Sequence, residues 1–352
     1  MIVDSQPVKL AIVGSGAIAQ THAEAIGRIS GAKLTAVCSR DPEKARLLAD
    51  RFGARSFTKI EDMLGEADVE GVLVSTASGV HQDAVIPALR AGRHVLCEKP
   101  LEISLERVRR MIGEAEASNR ILAGFFPLRF GAGAAALREA VDAGRFGRLT
   151  FLSARVKWWR DADYYRLSTW RGRWDLDGGG ALMNQGIHAV DLLQWFGGVP
   201  TEVSAFSGQL AHPGIEVEDT LAAIVRFEGG AVGTIEAATS CYPGLNLSLE
   251  VSGNRGTAVL ENDRITDWRF EFELPGDDAI RSGEGGQVGG AVSDPKAISC
   301  EGHRHQIASF CEAIRGEPAR IIDGRHAGRA VAIVEAIYRS AASGKVETVF
   351  KP

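Results

Sequence analysis

The chain has 352 residues, 45% of them apolar and 24% charged, and a formal net charge of −5, so we expect about two domains with buried cores. The acidic balance argues against a nucleic-acid-binding protein, because neutralising phosphates requires a basic surface. No apolar run reaches the roughly 18 residues of a membrane span, no secretory signal pattern is visible, and the five cysteines are spaced like reduced thiols, so we expect a cytoplasmic protein without membrane contact.

Strand and helix patterns alternate over the first 125 residues. Apolar runs typical of buried strands lie at Lys9–Gly14, Lys33–Cys38, Gly71–Ser75, His94–Glu98 and Ile121–Phe125. Helical patterns at 18–29, from Pro42 onwards, at 80–91 and at 104–117 separate them, with Asp41 as the predicted N-cap of the second helix. This alternation predicts βαβ crossovers and a doubly wound parallel sheet of the Rossmann type.

The pattern changes near residue 128. Strand-like stretches then dominate, at 148–158, 201–209, 218–227, 230–239, 245–252 and 256–260, and helices are predicted at 132–143, 180–196, 303–315 and 325–343. We therefore predict an α/β protein with a Rossmann domain at 1–127 and a second α/β domain at 128–352, whose open sheet is mostly antiparallel. In an alternative division, the closing helices pack back on the first domain. Residues 276–299 are rich in glycine and aperiodic, which predicts a loop, either an active-site cover or a passive insertion.

A glycine-rich turn follows the first predicted strand. Gly14-Ser15-Gly16-Ala17-Ile18-Ala19 fits the pattern G-x-G-x-x-G/A. The first glycine allows a tight turn, the second lets the backbone approach a pyrophosphate, and the helix N-terminus then faces the phosphates. The motif in this βαβ context predicts dinucleotide binding.

The residues after the second strand bear on the choice of cofactor. An acid at this place would bind the ribose 2′-hydroxyl of NAD, but here Ser39 and Arg40 stand before Asp41. Arg40, with Lys44 one helical turn further on, could pair with the 2′-phosphate of NADP. In the alternative interpretation Asp41 only caps the helix and Arg40 is a solvated surface residue. The sequence thus favours NADP over NAD without excluding NAD.

Two further segments identify a family. One is His94-Val-Leu-Cys-Glu98-Lys99-Pro100, preceded by Ser75-Thr76-Ala77-Ser78-Gly79-Val80-His81, and the other is Gly178-Gly-Gly-Ala-Leu-Met-Asn184-Gln-Gly-Ile-His188-Ala-Val-Asp191. Together with the glycine motif they resemble the glucose–fructose oxidoreductase/inositol dehydrogenase (Gfo/Idh/MocA) family over nearly the whole chain. The resemblance implies an NAD(P)-dependent oxidoreductase acting on a secondary hydroxyl or ketone of a sugar, glycoside or cyclitol. It also implies a homodimer or homotetramer formed through the open sheet.

The resemblance implies catalytic roles for Lys99 and His188. Lys99 follows a buried strand and precedes a proline, at the sheet edge where α/β folds bind ligands, and in the family the Lys-Pro bond is often cis. A histidine titrates near ~6.5 and can accept a hydroxyl proton at neutral pH. We therefore expect His188 to take the proton while Lys99 polarises the oxygen and hydride passes to nicotinamide.

Other site residues follow from the same motifs. The predicted substrate-binding residues are Asn184, Arg129, Asp191, Tyr165 and His305. The predicted cofactor-binding residues are Gly14, Ser15, Gly16, Ala17, Ile18, Ser39, Arg40, Lys44, Thr76, Ala77, Ser78, His81, Glu98, Lys99, Trp170 and Arg171. Asn184, His188 and Asp191 are spaced i, i+4 and i+7, which would place them on one helix face. Many relatives have Asp where this chain has Asn184, so the proton relay could instead use Asp191, or, less favoured, Asp175 or Asp177.

Rival functions stay open at this point. Some relatives are glycoside hydrolases that use NAD for transient oxidation, and one kind is a non-catalytic sensor or repressor, although such members tend to lose the lysine or histidine that this chain keeps. The stretch from Cys300 to His305 contains metal-ligand residue types but opens a helix, and we predict no metal site there. His303 or His305 are interpreted as substrate-facing instead.

Overall fold

The computed structural model describes residues 6–282 and 300–352, which form two compact units. The first unit comprises the described residues up to Pro127 together with Cys300–Gly328. The second comprises the described residues from Leu128 to Ser282 together with Arg329–Pro352. Cys300–Gly328 thus fold with the first unit, although they come from the region assigned above to the second domain.

The first unit is built on a parallel sheet of six strands among the described residues, in the order β3-β2-β1-β4-β5-β6. The strands are β1 (Val8–Val13), β2 (Ala32–Cys38), β3 (Arg55–Phe57), β4 (Gly71–Val74), β5 (His94–Cys97) and β6 (Leu122–Gly124). The strand order reverses direction between β1 and β4, and ligands of open α/β sheets bind beside the carboxyl ends of the strands at such a point. The predicted Rossmann sheet is confirmed.

Five helices connect these strands. They are α1 (Ala17–Ile26), α2 (Pro42–Phe52), α3 (Ile60–Glu66), α4 (Gln82–Arg90) and α5 (Leu105–Ser118). Helix α2 begins as predicted, because the carboxylate of Asp41 accepts a hydrogen bond from the Lys44 amide at 3.1 Å, and it ends at Gly53 in the left-handed conformation. The short elements β3 and α3 were not predicted, since three residues and two turns are too few to show a periodicity.

The second unit contains a mixed, mostly antiparallel sheet in the order β13-β12-β11-β7-β10-β9-β8-β14 among the described residues. Its strands are β7 (Leu149–Lys157), β8 (Pro200–Gly208), β9 (Thr220–Phe227), β10 (Val232–Ala238), β11 (Ser248–Gly253), β12 (Gly256–Glu261), β13 (Arg264–Phe270) and β14 (Glu347–Thr348). β7 and β10 pair in parallel and the other pairs are antiparallel. This sheet confirms the predicted fold class.

The two faces of this sheet differ within the second unit. In β9, Leu221, Ala223, Val225 and Phe227 are buried and their neighbours along the strand are not, as the period of two requires. On the other face, apolar side chains such as Ile224 and Phe206 are exposed. One face therefore packs on the core while the other presents apolar surface.

The remaining helices are α6 (Ala132–Asp142), α7 (Ala162–Arg166), α8 (Ile187–Gly197), α9 (Asp277–Ser282), α10 (Glu301–Ile314) and α11 (Gly324–Ser343). Instead of one helix over 180–196, a π-helical turn, Ala181–Gly186, precedes α8. The loop predicted from residue 276 was wrong at its start. There α9 forms because the Asp277 carboxylate binds Arg145 at 2.7 Å and the Trp268 indole at 2.8 Å, and residues 283–299 lie outside the described residues.

Among the residues that the structure describes, none of the helices combines the length and the apolar character needed to cross a membrane.

Candidate active site

The glycine turn between β1 and α1 has the shape that the motif predicts. Gly14 has a φ of +118°, and a Cβ there would lie 2.4 Å from the Ser75 carbonyl oxygen, so only glycine fits without displacement. Gly16 is the N-cap of α1, and a Cβ there would meet nothing within 4 Å. Ala17 and Ile18 begin the helix, and no acidic residue lies in its first turn. The open backbone and the free helix N-terminus fit a pyrophosphate group.

The residues after β2 are those that the sequence predicts to contact the ribose of the cofactor. The Ser15 and Ser39 hydroxyls are 2.7 Å apart, and Arg40 is exposed. The Asp41 carboxylate is used locally, since it caps α2 and lies 3.1 Å from the Lys44 ammonium. The nearest acid is therefore turned to its own helix, and Ser39 and Arg40 are the polar groups that follow β2.

The loops after β4 and β5 are joined by a buried histidine. Thr76 and Ala77 lead into a short 3₁₀ turn, Ser78–Val80, and the His81 ring follows it. One His81 ring nitrogen lies 2.9 Å from the Pro100 carbonyl oxygen and the other 3.2 Å from that of Thr76. Burial lowers the pKa of His81. His81 thus holds together the two loops that carry predicted cofactor contacts.

Glu98 fixes the backbone of Lys99. The peptide bond between Lys99 and Pro100 is cis, in agreement with the family resemblance. One Glu98 carboxylate oxygen accepts the Lys99 amide at 3.0 Å and the other lies 3.0 Å from His22 Nε2. Burial by itself raises the pKa of Glu98, but the hydrogen bond and charge of His22, with the charges of His303 and Lys99, lower it to about 2. Glu98 is therefore an ionised carboxylate at the carboxyl end of β5.

His22 and His303 complete this buried cluster and were not among the predicted cofactor ligands. His22 Nδ1 lies 3.0 Å from the Ser75 hydroxyl, and His303 Nε2 lies 3.9 Å from Glu98. The ligand-type atoms of the three residues all lie within 4.8 Å of one another. The 3.0 Å approach of His22 to Glu98 is that of a direct ion pair or hydrogen bond, which explains the cluster without a bridging metal.

The predicted substrate residue His305 points away from this cluster. It is exposed on α10, and its ring nitrogen lies 2.8 Å from the Arg304 guanidinium, whereas His303 on the same helix is buried.

In the second unit, Asn184 lies in a network of polar side chains. Its amide nitrogen donates to Asp177 at 2.6 Å, and its oxygen accepts from the Tyr164 hydroxyl at 3.4 Å. Gln185 donates to the same hydroxyl at 2.8 Å, and Asp177 is buried and also accepts the Gly172 amide. A carboxylate thus stands beside Asn184. From the sequence, Asp177 was only a weaker candidate, and Tyr164 stood out only as part of an aromatic run that could form a sugar-binding wall. The role of Gln185 was missed, because nothing in its spacing indicates the contact.

His188 is the second residue of α8, directly after the π turn, and is half-buried. The backbone amide of Asn184 donates to the carbonyl of Gly180, the residue before that turn, at 3.0 Å. A π turn has more residues per turn than an α-helix, so the angles between Asn184, His188 and Asp191 around the axis differ from those that a regular α-helix would give. π turns are frequent at functional sites.

Arg129 and Asp191 form a buried ion pair with each other. Two bonds join the guanidinium and the carboxylate, at 2.7 and 2.6 Å, and the side chains are 6% and 1% exposed. The Trp195 ring lies 5.1 Å from the Arg129 guanidinium carbon. Both residues were predicted to bind substrate. In the structure they pair with each other, and this ion pair anchors α8.

The aromatic residues before the glycine triplet pack with arginines. The guanidinium carbon of Arg171 lies 4.3 Å from the centre of the Tyr164 ring and 5.3 Å from that of Trp170, and that of Arg160 lies 5.4 Å from Tyr164. The buried Nε of Arg171 has no hydrogen-bond partner within the described residues. The Tyr165 hydroxyl lies 2.8 Å from that of Thr239, and burial raises the pKa of Tyr165. Tyr165 is thus held internally, whereas Tyr164 contacts Asn184.

Comparison with known proteins agrees with this geometry. A family model described as the oxidoreductase family with an NAD-binding Rossmann fold matches residues 8–125, and one described as the GFO/IDH/MocA C-terminal domain matches residues 134–259. Among curated proteins, 1,5-anhydro-D-fructose reductase of Ensifer adhaerens is 28% identical over 96% of this chain and 97% of its own length. An inositol 2-dehydrogenase of Rubrobacter xylanophilus is 30% identical over 72% of this chain and 71% of its own length.

Among solved structures, the WlbA dehydrogenase of Bordetella pertussis, in complex with NADH and UDP-GlcNAcA, has a TM-score of 0.91 and 32% identity with full coverage of both chains. The WlbA enzyme of Chromobacterium violaceum, with the same two ligands, has a TM-score of 0.89 and 31% identity over 99% of each chain. The glycine turn, the Glu98-anchored loop and both family matches lead to one conclusion. This chain belongs to the Gfo/Idh/MocA family and is an oxidoreductase with an NAD-binding Rossmann fold.

Proposed function

We propose that Lys99 and His188 are the catalytic residues of a reaction that interconverts a secondary hydroxyl and a ketone of a sugar. The observation that carries this proposal is the anchoring of Lys99. Its backbone is fixed by an ionised, buried carboxylate at the carboxyl edge of the nucleotide-binding sheet, where such folds place reactive groups. When bound, the dinucleotide supplies the hydride acceptor or donor.

The chain's own groups handle the proton and the developing charge. In the oxidation direction, the C–H bond of the alcohol carbon breaks as hydride, and the hydroxyl proton passes to the His188 imidazole. Lys99 donates a hydrogen bond to the substrate oxygen and stabilises negative charge on it. Asn184 binds substrate hydroxyls, and the carboxylate of Asp177 beside it favours the positive charge that His188 gains.

His188→Asn tests the role of the base. We expect kcat to fall by about 10²- to 10³-fold and the pH dependence of kcat to disappear, because no group then accepts the proton. His326→Asn, an exposed histidine on α11, is the matched control. An unchanged pH profile in His188→Asn would remove His188 from the reaction.

The cofactor proposal is NADP, with NAD as the weaker ligand. Asp41 is committed to capping α2, so Ser39 and Arg40 are left to contact a ribose 2′-substituent, and Arg40 can pair with a phosphate. Arg40→Ala should weaken NADP binding severalfold and leave NAD binding unchanged, as measured by fluorescence titration. Lys44→Ala is the comparison variant, and its effect should be smaller because Asp41 already neutralises Lys44. Equal loss of both cofactors, or tighter NAD than NADP in the wild type, would contradict this proposal.

For the substrate we propose a sugar that carries an anionic group. Arg171 and Arg160 flank Tyr164, which contacts Asn184, so positive charge lies beside the predicted substrate residues. The two WlbA structures contain UDP-GlcNAcA, a nucleotide-linked sugar acid. UDP-GlcNAcA is therefore the first compound to test on this chain.

The experiment measures turnover with NAD and with NADP, by absorbance at 340 nm and by mass spectrometry of the sugar. UDP-GlcNAcA is compared with UDP-GlcNAc, which lacks the carboxylate, and with myo-inositol and free glucose. We expect a sugar product that has lost two hydrogens and at least about tenfold faster turnover of UDP-GlcNAcA than of UDP-GlcNAc, which keeps the diphosphate charge but lacks the carboxylate. Preference for a neutral free sugar would contradict the anionic substrate, and release of free sugar from a glycoside without net cofactor reduction would favour the hydrolase alternative.

A second copy of this chain is the partner proposed for the open face of the second-unit sheet. Phe206 is 83% exposed and Ile224 is 57% exposed on that face, and exposed apolar side chains that lie together mark interaction surfaces. We expect a dimer or tetramer by light scattering and a smaller species for Phe206→Glu.

The five cysteines are all free thiols, which supports the proposed cytoplasmic location.

A further inference from the structure

The segment that leads into His188 is held by two residues that no motif singles out. The Glu218 side chain, before β9, is buried, and Tyr338 lies on α11. One Glu218 carboxylate oxygen accepts the Gly180 amide at 2.8 Å, and the other accepts the Leu182 amide at 2.9 Å. The Glu218 backbone carbonyl also accepts the Ala181 amide at 3.0 Å. Three consecutive amides at the start of the π turn therefore bind this one residue.

Tyr338 adds to the same attachment from another element. Its hydroxyl donates to Glu218 at 2.9 Å and accepts from the Gly180 and Met183 amides at 3.3 and 3.2 Å. A Cβ on Gly179 would lie 2.2 Å from this hydroxyl, and a Cβ on Gly180 would lie 1.7 Å from the Glu218 carbonyl oxygen. The glycines are thus required by the closeness of Tyr338 and Glu218.

This attachment provides hydrogen-bond acceptors for the backbone amides at the start of the π turn. The first amides of any helix lack partners within the helix, and a π turn is seldom stable by itself. The side chains of Glu218 and Tyr338 supply acceptors for Gly180, Leu182 and Met183, so the turn has a defined geometry and α8 begins at a fixed place. Asn184 lies within this turn, and His188 follows it by two residues.

We propose that Glu218 and Tyr338 are positioning residues: together they form a latch that holds the π turn and thereby orients Asn184 and His188. This inference rests on the proposed function, because it gives the latch its purpose through His188. Neither residue needs to touch substrate or cofactor, and the latch acts through the backbone it holds.

The test uses the full chain and the variants Tyr338→Phe, Glu218→Gln and their combination. Tyr242→Phe, an exposed tyrosine, is the matched control. We expect Tyr338→Phe to lower kcat about tenfold at nearly constant KM and unchanged cofactor Kd, because orientation of the reacting groups is lost while binding is kept. The kcat of the double variant should be no lower than that of the less active single variant, because both substitutions disrupt the same latch.

Hydrogen exchange of the Gly180, Leu182 and Met183 amides provides a readout that does not depend on the role of His188. Faster exchange of these amides in the latch variants, but not in the control, is the expected result. Unchanged exchange overturns the latch, and so does faster exchange with unaltered kcat. If His188→Asn keeps full activity while the amides exchange faster and kcat falls in Tyr338→Phe, the proposed base is wrong but the latch stands, acting through Asn184.

Discussion

The nucleotide turn of the first unit and the histidine segment of the second are built in different ways. The first is made of backbone: Gly14 fits only as glycine, Gly16 is left open, and a helix N-terminus provides the binding groups. The second is made of side chains that bind one irregular turn: Glu218 and Tyr338 come from distant parts of the chain, and Asp177 from the preceding loop. A site made of backbone can be recognised from six consecutive residues, whereas a site made of side chains also depends on contacts between residues far apart in the sequence.

The largest expected effect tests whether the first unit also needs a side chain. Lys99→Met should lower kcat by about 10³-fold or more while cofactor binding is kept, because the hydrogen bond to the substrate oxygen is lost and the backbone anchor at Glu98 stays. Steady-state kinetics and cofactor titration check this, with Lys33→Met on β2 as the matched surface control. Near-normal turnover would mean that the first unit only binds the cofactor.

The next effect tests the dependence of the second unit on buried charge. Asp191→Asn should lower the free energy of unfolding by about 3 kcal/mol, because it leaves the buried guanidinium of Arg129 without its carboxylate. Chemical denaturation measures the change. The double variant Arg129→Met/Asp191→Leu removes both charges and should recover much of the loss, and if it is as unstable as Asp191→Asn the ion pair is not the cause.

Substitutions in the glycine turn test the backbone site of the first unit. Gly14→Ala should weaken cofactor binding by about 10- to 100-fold and also destabilise the first unit, because its Cβ would meet the Ser75 carbonyl. Gly16→Ala should weaken binding with little change in stability, since its Cβ meets nothing in the protein. Cofactor titration and thermal unfolding separate the two, with Gly65→Ala in α3 as control. Equal behaviour of Gly14→Ala and Gly16→Ala would contradict this account.

The smallest effect concerns pH. Burial raises the pKa of Glu218 to about 7 from its ordinary 4.5, despite its hydrogen bonds to Leu182, Tyr338 and Gly180. A raised pKa in the folded state contributes stability that is complete below pH 4.5 and is lost as the pH rises through about 7. The wild type should therefore lose about 2 kcal/mol more unfolding free energy than Glu218→Gln between these values. Parallel curves for the two proteins would mean that Glu218 does not titrate in this range.

The sequence was sufficient to predict the features that depend on local geometry. The cap at Asp41, the turn at Gly14 and the alternation of strands and helices were all predicted and are confirmed, because each depends on residues within a few positions. The fold class and the family were predicted as well. The roles of Lys99 and His188 remain predictions, supported by their surroundings.

The rest could not be predicted because it depends on partners that are distant in the sequence. The spacing of Asn184, His188 and Asp191 assumed a regular α-helix, and the π turn, held by Glu218 and Tyr338, breaks that regularity. The pairing of Arg129 with Asp191 spans 62 positions, so charge type alone could not distinguish an internal anchor from a substrate ligand. For the same reason the contact of His22 with Glu98 had no local signature.

The π turn also bears on how insertions and deletions act in this protein. It accommodates about one more residue than an α-helical turn would. Deleting a single residue from Ala181–Gly186 would let the turn relax to a regular α-helix, which takes up the missing residue and leaves the later side chains of α8 facing the sheet as before. A one-residue deletion within α8 itself has no such compensation and would rotate every later side chain of that helix by about 100°.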